Sequence, residues 1–383
     1  MPHQAGGVPA QSRGYDDVYG SQNAPGYDSG YSEGRVYGGD SGWNGGQGGP
    51  PPGYDERPQA DWGRRLKVGA VVLVLVLLVW SIGTYAYAES KLRDEVDLGK
   101  VEDRPEAGEG TNYLIVGSDS REGMTKEDQK RLHTGAVDGQ RTDSMIILHV
   151  GDNGNTMVSL PRDSWVTIPE FTGSDSGNRI KASKNKLNAA YSMEGPWLLT
   201  RTVEYNTGLK IDHYAEIGFG GFAKIVDAVG GVEMDIPEDI KDRDSGADLK
   251  KGKQTLNGAD ALAFVRNRKQ AGSDLVRTQN QQKFLSALAN QTATPSTILN
   301  PFRLYPTMSA GLDSLVVDSD MGVWTLGKMF WAMKGVSGGD GKQLNMPTTS
   351  TPAPMGSLQW DMPKVKQLVS QLKNDEKVTV SSQ

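Results

Sequence analysis

The sequence predicts an α/β domain, a sheet covered by helices, carried behind one transmembrane helix. Three observations lead there. Strand and helix signals alternate from about residue 111 onward, one uncharged apolar run lies between 68 and 88, and the stretch before that run is too polar to fold.

From Met1 to about Trp62 the chain is rich in Gly, Pro, Tyr, Gln and Asp and nearly lacks aliphatic residues. Such a stretch buries too little apolar surface to offset chain entropy, so residues 1–63 are expected to form a disordered leader. Val68 to Ala88 (VGAVVLVLVLLVWSIGTYAYA) is about long enough to cross the ~30 Å hydrocarbon layer as a helix. Arg64, Arg65 and Lys67 precede the run and Glu89 follows it. The positive-inside rule then puts the leader in the cytoplasm and everything after Glu89 outside. Trp80, Tyr85 and Tyr87 fall toward the outer end, as an interfacial aromatic belt would. A cleaved signal peptide is the rival reading, but a long polar segment precedes the run and its apolar part exceeds an ordinary signal core. The expectation is a single-pass cell-membrane anchor over 64–89.

After a charged spacer, 90–110, the folded domain is expected over 111–376, with a short tail at 377–383. Asn112 to Val116 reads as a strand stopping at Gly117. Ser144–Val150 and Thr156–Leu160 are apolar runs flanking Asn153-Gly154, which predicts a hairpin with a two-residue turn. Gly220 to Val229 reads as a helix closed by Gly230-Gly231, with strands at Ile211–Ile217 and Val232–Ile236. Asn257 caps a helix with Asp260 three residues on, and Ser273-Asp274 caps a long one to Gln291. Asp361 to Leu372 is amphipathic and predicts a terminal helix. The C-terminal third is otherwise hard to read.

The formal net charge is −6, so no global positive field draws in nucleic acid, and any anion site must be local. Absence of Cys excludes disulfides, thiolate metal sites and thiol nucleophiles. His3, His133, His149 and His213 show no zinc-ligand spacing, and His149, alternating on a strand, reads as structural. Ser183-Lys-Asn-Lys186 matches an S-x-x-K pattern, but its Lys-Thr-Gly and Ser-Asp-Asn companions are missing. No Walker loop occurs.

Four polar clusters sit at element ends. A two-residue turn at Asn153-Gly154 makes hairpin positions sum to about 307, placing Asp143 opposite Arg162 to Ser164. Arg141, Asp143, Arg162 and Asp163 then share one edge. Asp119 and Arg121 reach the same edge if the first strand lies parallel beside the second hairpin strand. In an extended Arg266-Asn267-Arg268, both guanidinium groups project to one side. On the helix from Asp274, Arg277 and Gln281 are i,i+4 neighbours, and Phe284 and Leu288 continue that face. Surface salt bridges would account for any one arginine. Together, two carboxylates and several guanidinium groups fit a divalent cation bridging phosphate oxygens, the electrostatics that phosphoryl transfer needs more than a protein nucleophile.

These residues also carry a resemblance. Asn112-Tyr-Leu-Ile-Val-Gly-Ser-Asp-Ser-Arg121, Arg141-Thr-Asp-Ser144, Val158-Ser-Leu-Pro-Arg-Asp-Ser164, Lys186-Leu-Asn-Ala-Ala-Tyr191, Ile211-Asp-His-Tyr214 and Leu262-Ala-Phe-Val-Arg-Asn-Arg268, followed by Asp274, Arg277 and Gln281-Gln282, resemble the LytR-CpsA-Psr family in order and spacing. The core of the match runs from Asn112 to Leu288. The resemblance implies a three-layer αβα fold with a mixed central sheet and a long apolar lipid pocket whose polar mouth binds pyrophosphate. It assigns Asp119 and Asp143 to Mg²⁺, with Mn²⁺ as a substitute. Arg141, Arg162, Arg266, Arg268, Arg277 and Gln281 match pyrophosphate-contacting positions, and Arg121 and Lys186 join the substrate-binding set. Gln279-Asn280 departs from the basic residue the family often carries before its Gln-Gln pair. The implied reaction moves a glycan phosphate from a polyprenyl-pyrophosphate carrier onto a peptidoglycan hydroxyl. A pyrophosphatase using water and a non-catalytic lipid- or polymer-binding regulator are the alternatives.

Overall fold

A helix that is apolar all round finds no matching face on a water-soluble domain. In the computed structural model α1 (Trp62–Glu89) accordingly stands exposed along nearly its whole length, with Ala88 alone fully buried. Its 28 residues reach about 42 Å at 1.5 Å per residue, enough to cross ~30 Å of hydrocarbon, and it is a candidate membrane span. The structure describes residues 61–381 apart from 123, 136–140, 268–273, 293, 295, 296 and 298. Residues 1–60 of the expected disordered leader, Ser273 and Arg268 therefore lie outside the described residues, while Trp62 and Gly63, counted in that leader, already belong to α1.

The domain is built on a seven-stranded sheet of β1 (Arg93–Val96), β2 (Thr111–Ser118), β3 (Thr142–Val150), β4 (Asn155–Leu160), β9 (His213–Ile217), β14 (Leu315–Asp318) and β15 (Gly341–Asn345), in the order β1-β14-β9-β2-β3-β4-β15. Parallel pairs β1/β14, β2/β9 and β4/β15 mix with antiparallel ones. Shorter ladders flank it: β5 (Trp165–Ile168) with β8 (Ser183–Lys186), β6 (Phe171–Thr172) with β7 (Arg179–Ile180), β10 (Val232–Ile236) with β13 (Gly252–Leu256), β11 (Ile240–Asp242) with β12 (Ala247–Leu249), and β16 (Thr348–Pro352) with β17 (Leu358–Trp360).

Alternation along the central strands sends apolar side chains to both faces, which explains near-continuous runs such as Met145-Ile-Ile-Leu148. Leu114, Val116, Ile147, Val158 and Tyr214 pack against α3 (Leu187–Thr207) and α9 (Met362–Lys373). Tyr113, Ile146, Leu148, Met157 and Val317 pack on the opposite face, against α6 (Asp274–Thr292), α7 (Pro301–Leu312) and α8 (Val323–Gly335). This is the expected three-layer αβα fold with a mixed sheet. α2 (Lys126–Arg131) follows β2, while α4 (Phe219–Ala228) and α5 (Gly258–Arg266) cross so closely that a Cβ on Gly258 would collide with the Ala223 carbonyl. Asn257 caps α5 by accepting from Ala259 and Asp260, as the sequence predicts, and Asp361 caps the expected terminal helix α9 by accepting from Lys364.

Three expectations are corrected. The hairpin turn has four residues, 151–154, and its register pairs Met145 with Leu160 rather than following the tighter turn. The cause is tertiary: the Asp375 carboxylate accepts from the Asp152 and Asn153 amides, and Asn153 donates back to the Asp375 carbonyl at 2.7 Å. The first strand does not lie beside the second hairpin strand. β2 is antiparallel to β3 and parallel to β9, and the outer side of β4 is taken by β15. A strand as apolar as β2 on both faces belongs in the sheet interior, whereas β15, half exposed, suits an edge. Finally, Arg266 is not in an extended segment: the capped helix α5, driven by buried Ala261–Phe264, runs through it, and only Asn267 turns extended.

Candidate functional site

The site begins at a defect in the sheet. Gly117 pairs with Ser144 but Ser118 pairs with Thr142, so Asp143 is the extra residue of a β-bulge. Bulges re-aim side chains beside functional sites. Gly117 has no Cβ to meet Ser144 Oγ, which would otherwise clash there. Immediately beyond, the Asp119 amide donates to the Arg141 carbonyl at 2.8 Å, and the Arg141 amide donates to Asp119 Oδ1 at 2.7 Å. Among the described residues Asp119 Oδ2 accepts no hydrogen bond. Asp119 is thus a carboxylate with one oxygen fixed and one without a hydrogen bond, next to the backbone bulge at position 143, and carboxylate oxygens are the hard donors that Mg²⁺ takes. No group of three His, Cys, Asp or Glu gathers among the described residues, so water or substrate oxygens would complete such a shell.

Arg162 and Asp163 follow β4. Continuing the β3/β4 register beyond Met145–Leu160 sets Arg162 opposite Asp143. Lys186 joins them because β8 pairs with β5, bringing Lys186 across from Trp165. Its Nζ lies 2.8 Å from Asp163 Oδ1, while Arg162 Nε lies 3.4 Å from Oδ2. Burial would raise the Asp163 carboxyl, but the hydrogen bond from Lys186 and the charge of Arg162 outweigh it and hold it below the usual range. Ser183 and Lys186 stand three apart on a strand, which points them to opposite faces and leaves the S-x-x-K pattern without a nucleophile–base pair.

Arg121 and Arg266 converge on one turn. Arg121 Nη2 donates to the Thr134 carbonyl at 2.8 Å, and Arg266 Nη1 donates to those of Leu132 and His133 at 3.2 and 3.3 Å. Arg266 also lies 4.7 Å over the Phe219 ring. It shares a cavity of about 100 Å³ with Ser118, Ser144, Phe222, Gln281, Phe284 and Leu285, which begins at the bulge and runs between β2 and α6. The walls are mainly apolar, with Arg266 and Gln281 at the polar end. Gln281 Nε2 donates to the Val265 carbonyl at 3.2 Å, and Phe284 is buried, as the predicted face of α6 requires. The volume is below the ~300 Å³ at which pockets for drug-sized ligands begin, so a polyprenyl chain would need α6 to yield. Arg277 lies on α6 four positions before Gln281.

Two features escaped the sequence reading. Glu216, buried on β9, accepts from Tyr191 Oη at 2.6 Å and Tyr214 Oη at 2.7 Å. Burial, followed by the Glu216 charge, pushes both phenols well up. The signal was available: Tyr214 and Glu216 are two apart on a strand, so they share a face. The second is a polar hollow of about 300 Å³ bordered by Arg93, Ser120, Tyr191, Glu216 and Lys224, which shares Gly218 with the apolar cavity.

Known proteins resemble this arrangement. The LytR_cpsA_psr family model matches residues 80–374. The probable cell wall biosynthesis protein LcpB of Corynebacterium glutamicum is 43% identical over 272 residues, 70% of this chain and 61% of that protein. The chain thus spans about three fifths of that relative's length. The polyisoprenyl-teichoic acid–peptidoglycan teichoic acid transferase TagV of Bacillus subtilis is 37% identical over 174 residues, 43% of this chain and 42% of that one. A LytR-Csp2A-Psr enzyme from Actinomyces oris superposes with a TM-score of 0.55 at 20% identity, over 74% of this chain and 96% of its own, and so shares the fold. The chain belongs to the LytR-CpsA-Psr family.

Proposed function

We propose that this chain is a membrane-anchored phosphotransferase that moves a glycan phosphate from a polyprenyl-pyrophosphate carrier onto peptidoglycan. The observation that carries the reading is the gathering of Asp119, Arg141, Arg162 and Lys186, with the Asp143 bulge, at one end of the sheet. An apolar cavity and a polar hollow share Gly218, so a donor with a greasy tail and a sugar head would meet matching chemistry at each end once α6 yields to admit the tail. Relatives named for cell wall biosynthesis and for teichoic acid transfer to peptidoglycan support it. α1 is the anchor, and Arg64, Arg65 and Lys67 favour a cytoplasmic N-terminus with the domain outside.

In this reading a sugar hydroxyl oxygen attacks the phosphorus nearest the glycan, and the bond from that phosphorus to the bridging oxygen breaks. Polyprenyl monophosphate leaves and the hydroxyl proton passes to solvent. Asp119 and Asp143 would hold Mg²⁺, which would supply charge neutralisation on the phosphate oxygens. Arg121, Arg141, Arg162, Arg266, Arg268 and Arg277 supply guanidinium donors to the pyrophosphate, with Lys186 and Gln281 fixing its position. No external energy source is required, because the pyrophosphate bond is already activated.

The test incubates the purified full chain with lipid-pyrophosphate glycan, peptidoglycan fragments and Mg²⁺ and seeks a phosphodiester-linked product by mass spectrometry. Polyprenyl phosphate released into water without coupling would assign a pyrophosphatase. Full function of the Asp143→Ala variant would assign a binding regulator.

A further inference from the structure

We propose that the outer faces of α7 and α8 lie in the membrane interface, making the domain a second, monotopic contact beside the α1 span. The proposal rests on α1 crossing the bilayer. Trp324 and Trp331, seven residues apart on one face of α8, are each 70% exposed, and Phe302 near the start of α7 is 89% exposed. Large aromatics this open to water form an unusual face on a soluble domain.

The location of the face identifies its occupant. α1 leaves its span between these two helices. Tyr305 of α7 hydrogen-bonds Thr84 at 2.8 Å and packs edge-on against Tyr87 with ring centroids 5.5 Å apart. Glu89 accepts from the Val323 amide at 3.2 Å, placing a carboxylate on the N-terminus of α8. Thr84 precedes Glu89 by five residues, about 7.5 Å along the helix axis. Tyr305 therefore grips the span about 7.5 Å below the level of Glu89, within the ~5–10 Å to which interfacial helices sink. Charge agrees: α7 and α8 contain no Asp or Glu but carry Arg303, Lys328 and Lys334, in a chain whose net charge is −6. Lys334 also sits 5.4 Å over the Trp331 ring. Aromatics with basic neighbours on a helix suit acyl and anionic headgroup contact, and a bilayer is the occupant already in place at the end of α1.

Because the chain has no Cys, single labels can be placed cleanly. The full chain is reconstituted in nanodiscs of equal parts phosphatidylcholine and phosphatidylglycerol, with an environment-sensitive fluorophore on Trp324→Cys, Trp331→Cys, Val79→Cys or Lys250→Cys. Lipids bearing a spin label near the headgroup or deep in the chain serve as quenchers. The expected result is a loss of emission at positions 324 and 331, greater with the shallow quencher, loss at 79 with the deep one, and none at 250. Quenching at 79 with positions 324 and 331 as bright as 250 would overturn the proposal while leaving the span intact. No quenching at 79 would sink the span reading and this proposal with it. A blue shift at 324 and 331 without quenching, with energy transfer between labelled copies, would assign the face to a second copy of the chain and overturn it as well.

Discussion

Asp119 and Arg141 are locked together by two backbone-anchored hydrogen bonds, although 22 residues separate them in the chain. One carboxylate oxygen therefore fixes the start of β3, and the other accepts no hydrogen bond from the described residues. The two roles can be separated by substitution.

Asp119→Asn retains an oxygen that accepts from Arg141 but removes the charge. It is expected to keep the thermal midpoint and lower transfer turnover by about 10²–10³-fold, the usual loss when one electrostatic group is taken from a phosphoryl or oxyanion site. Asp119→Ala should lose activity and, in addition, about 1 kcal/mol of stability with the hydrogen bond. Denaturant titration beside single-turnover kinetics separates the effects. Equal destabilisation by the two variants would contradict the division.

Lys186→Met removes the closest cation from Asp163. The donor KM is expected to rise more than kcat falls, because the residue positions the headgroup rather than sharing developing charge. The folded Asp163 carboxyl lies below its ordinary 3.8, so the stability it contributes is fully present above that pH and is lost as pH falls through the lower folded value. In the variant that acid loss should begin at a higher pH, readable as a shifted acid-unfolding midpoint.

His149 is buried, with Nδ1 2.8 Å from Asn112 Oδ1 and Nε2 3.4 Å from Asp375. Burial lowers its pKa from 6.5, although Asp375 opposes the shift. The folded state thus prefers the neutral ring: its stability contribution is complete above 6.5 and is lost as pH falls through the depressed folded pKa. His149→Gln is expected to flatten the fall of the thermal midpoint as pH drops below 6.5, the ordinary histidine value. An unchanged slope there would remove His149 as its source.

Tyr191→Phe takes one of the two phenol donors from buried Glu216. Leaving part of a buried carboxylate unsatisfied costs about 1–3 kcal/mol, so urea unfolding should shift by that amount. Combining it with Glu216→Gln should give less than the sum of the single effects, since the pair shares one interaction.

Local chemistry was legible where it acts locally. The Asn257 cap, the amphipathic run after Asp361 and the apolar runs of β2, β3 and β4 declared their elements because caps and short-range patterning depend on near neighbours. Pairing was not legible, since an apolar run such as Tyr113–Val116 fits beside any strand, and the 22-residue link to Arg141 allows either hand of neighbour. The shared edge was still found, because an antiparallel β2 delivers Asp119 to the start of β3, which is also where β4 ends. Arg266 was read on an extended backbone, whereas the capped helix and its carbonyl partners at Leu132 and His133 orient it, and neither is visible in a run of Arg-Asn-Arg.

The outermost strands of the central sheet have a consequence for biogenesis. Arg93 pairs with Val316 and Asn155 with Gly341, so at both margins a strand made early waits for a partner synthesised long afterwards. Such distant closures make folding slow. A nascent chain halted before Gly341 is expected to present the bare rim of β4 and to bind strand-seeking chaperones, a state that release of the last forty or so residues should end.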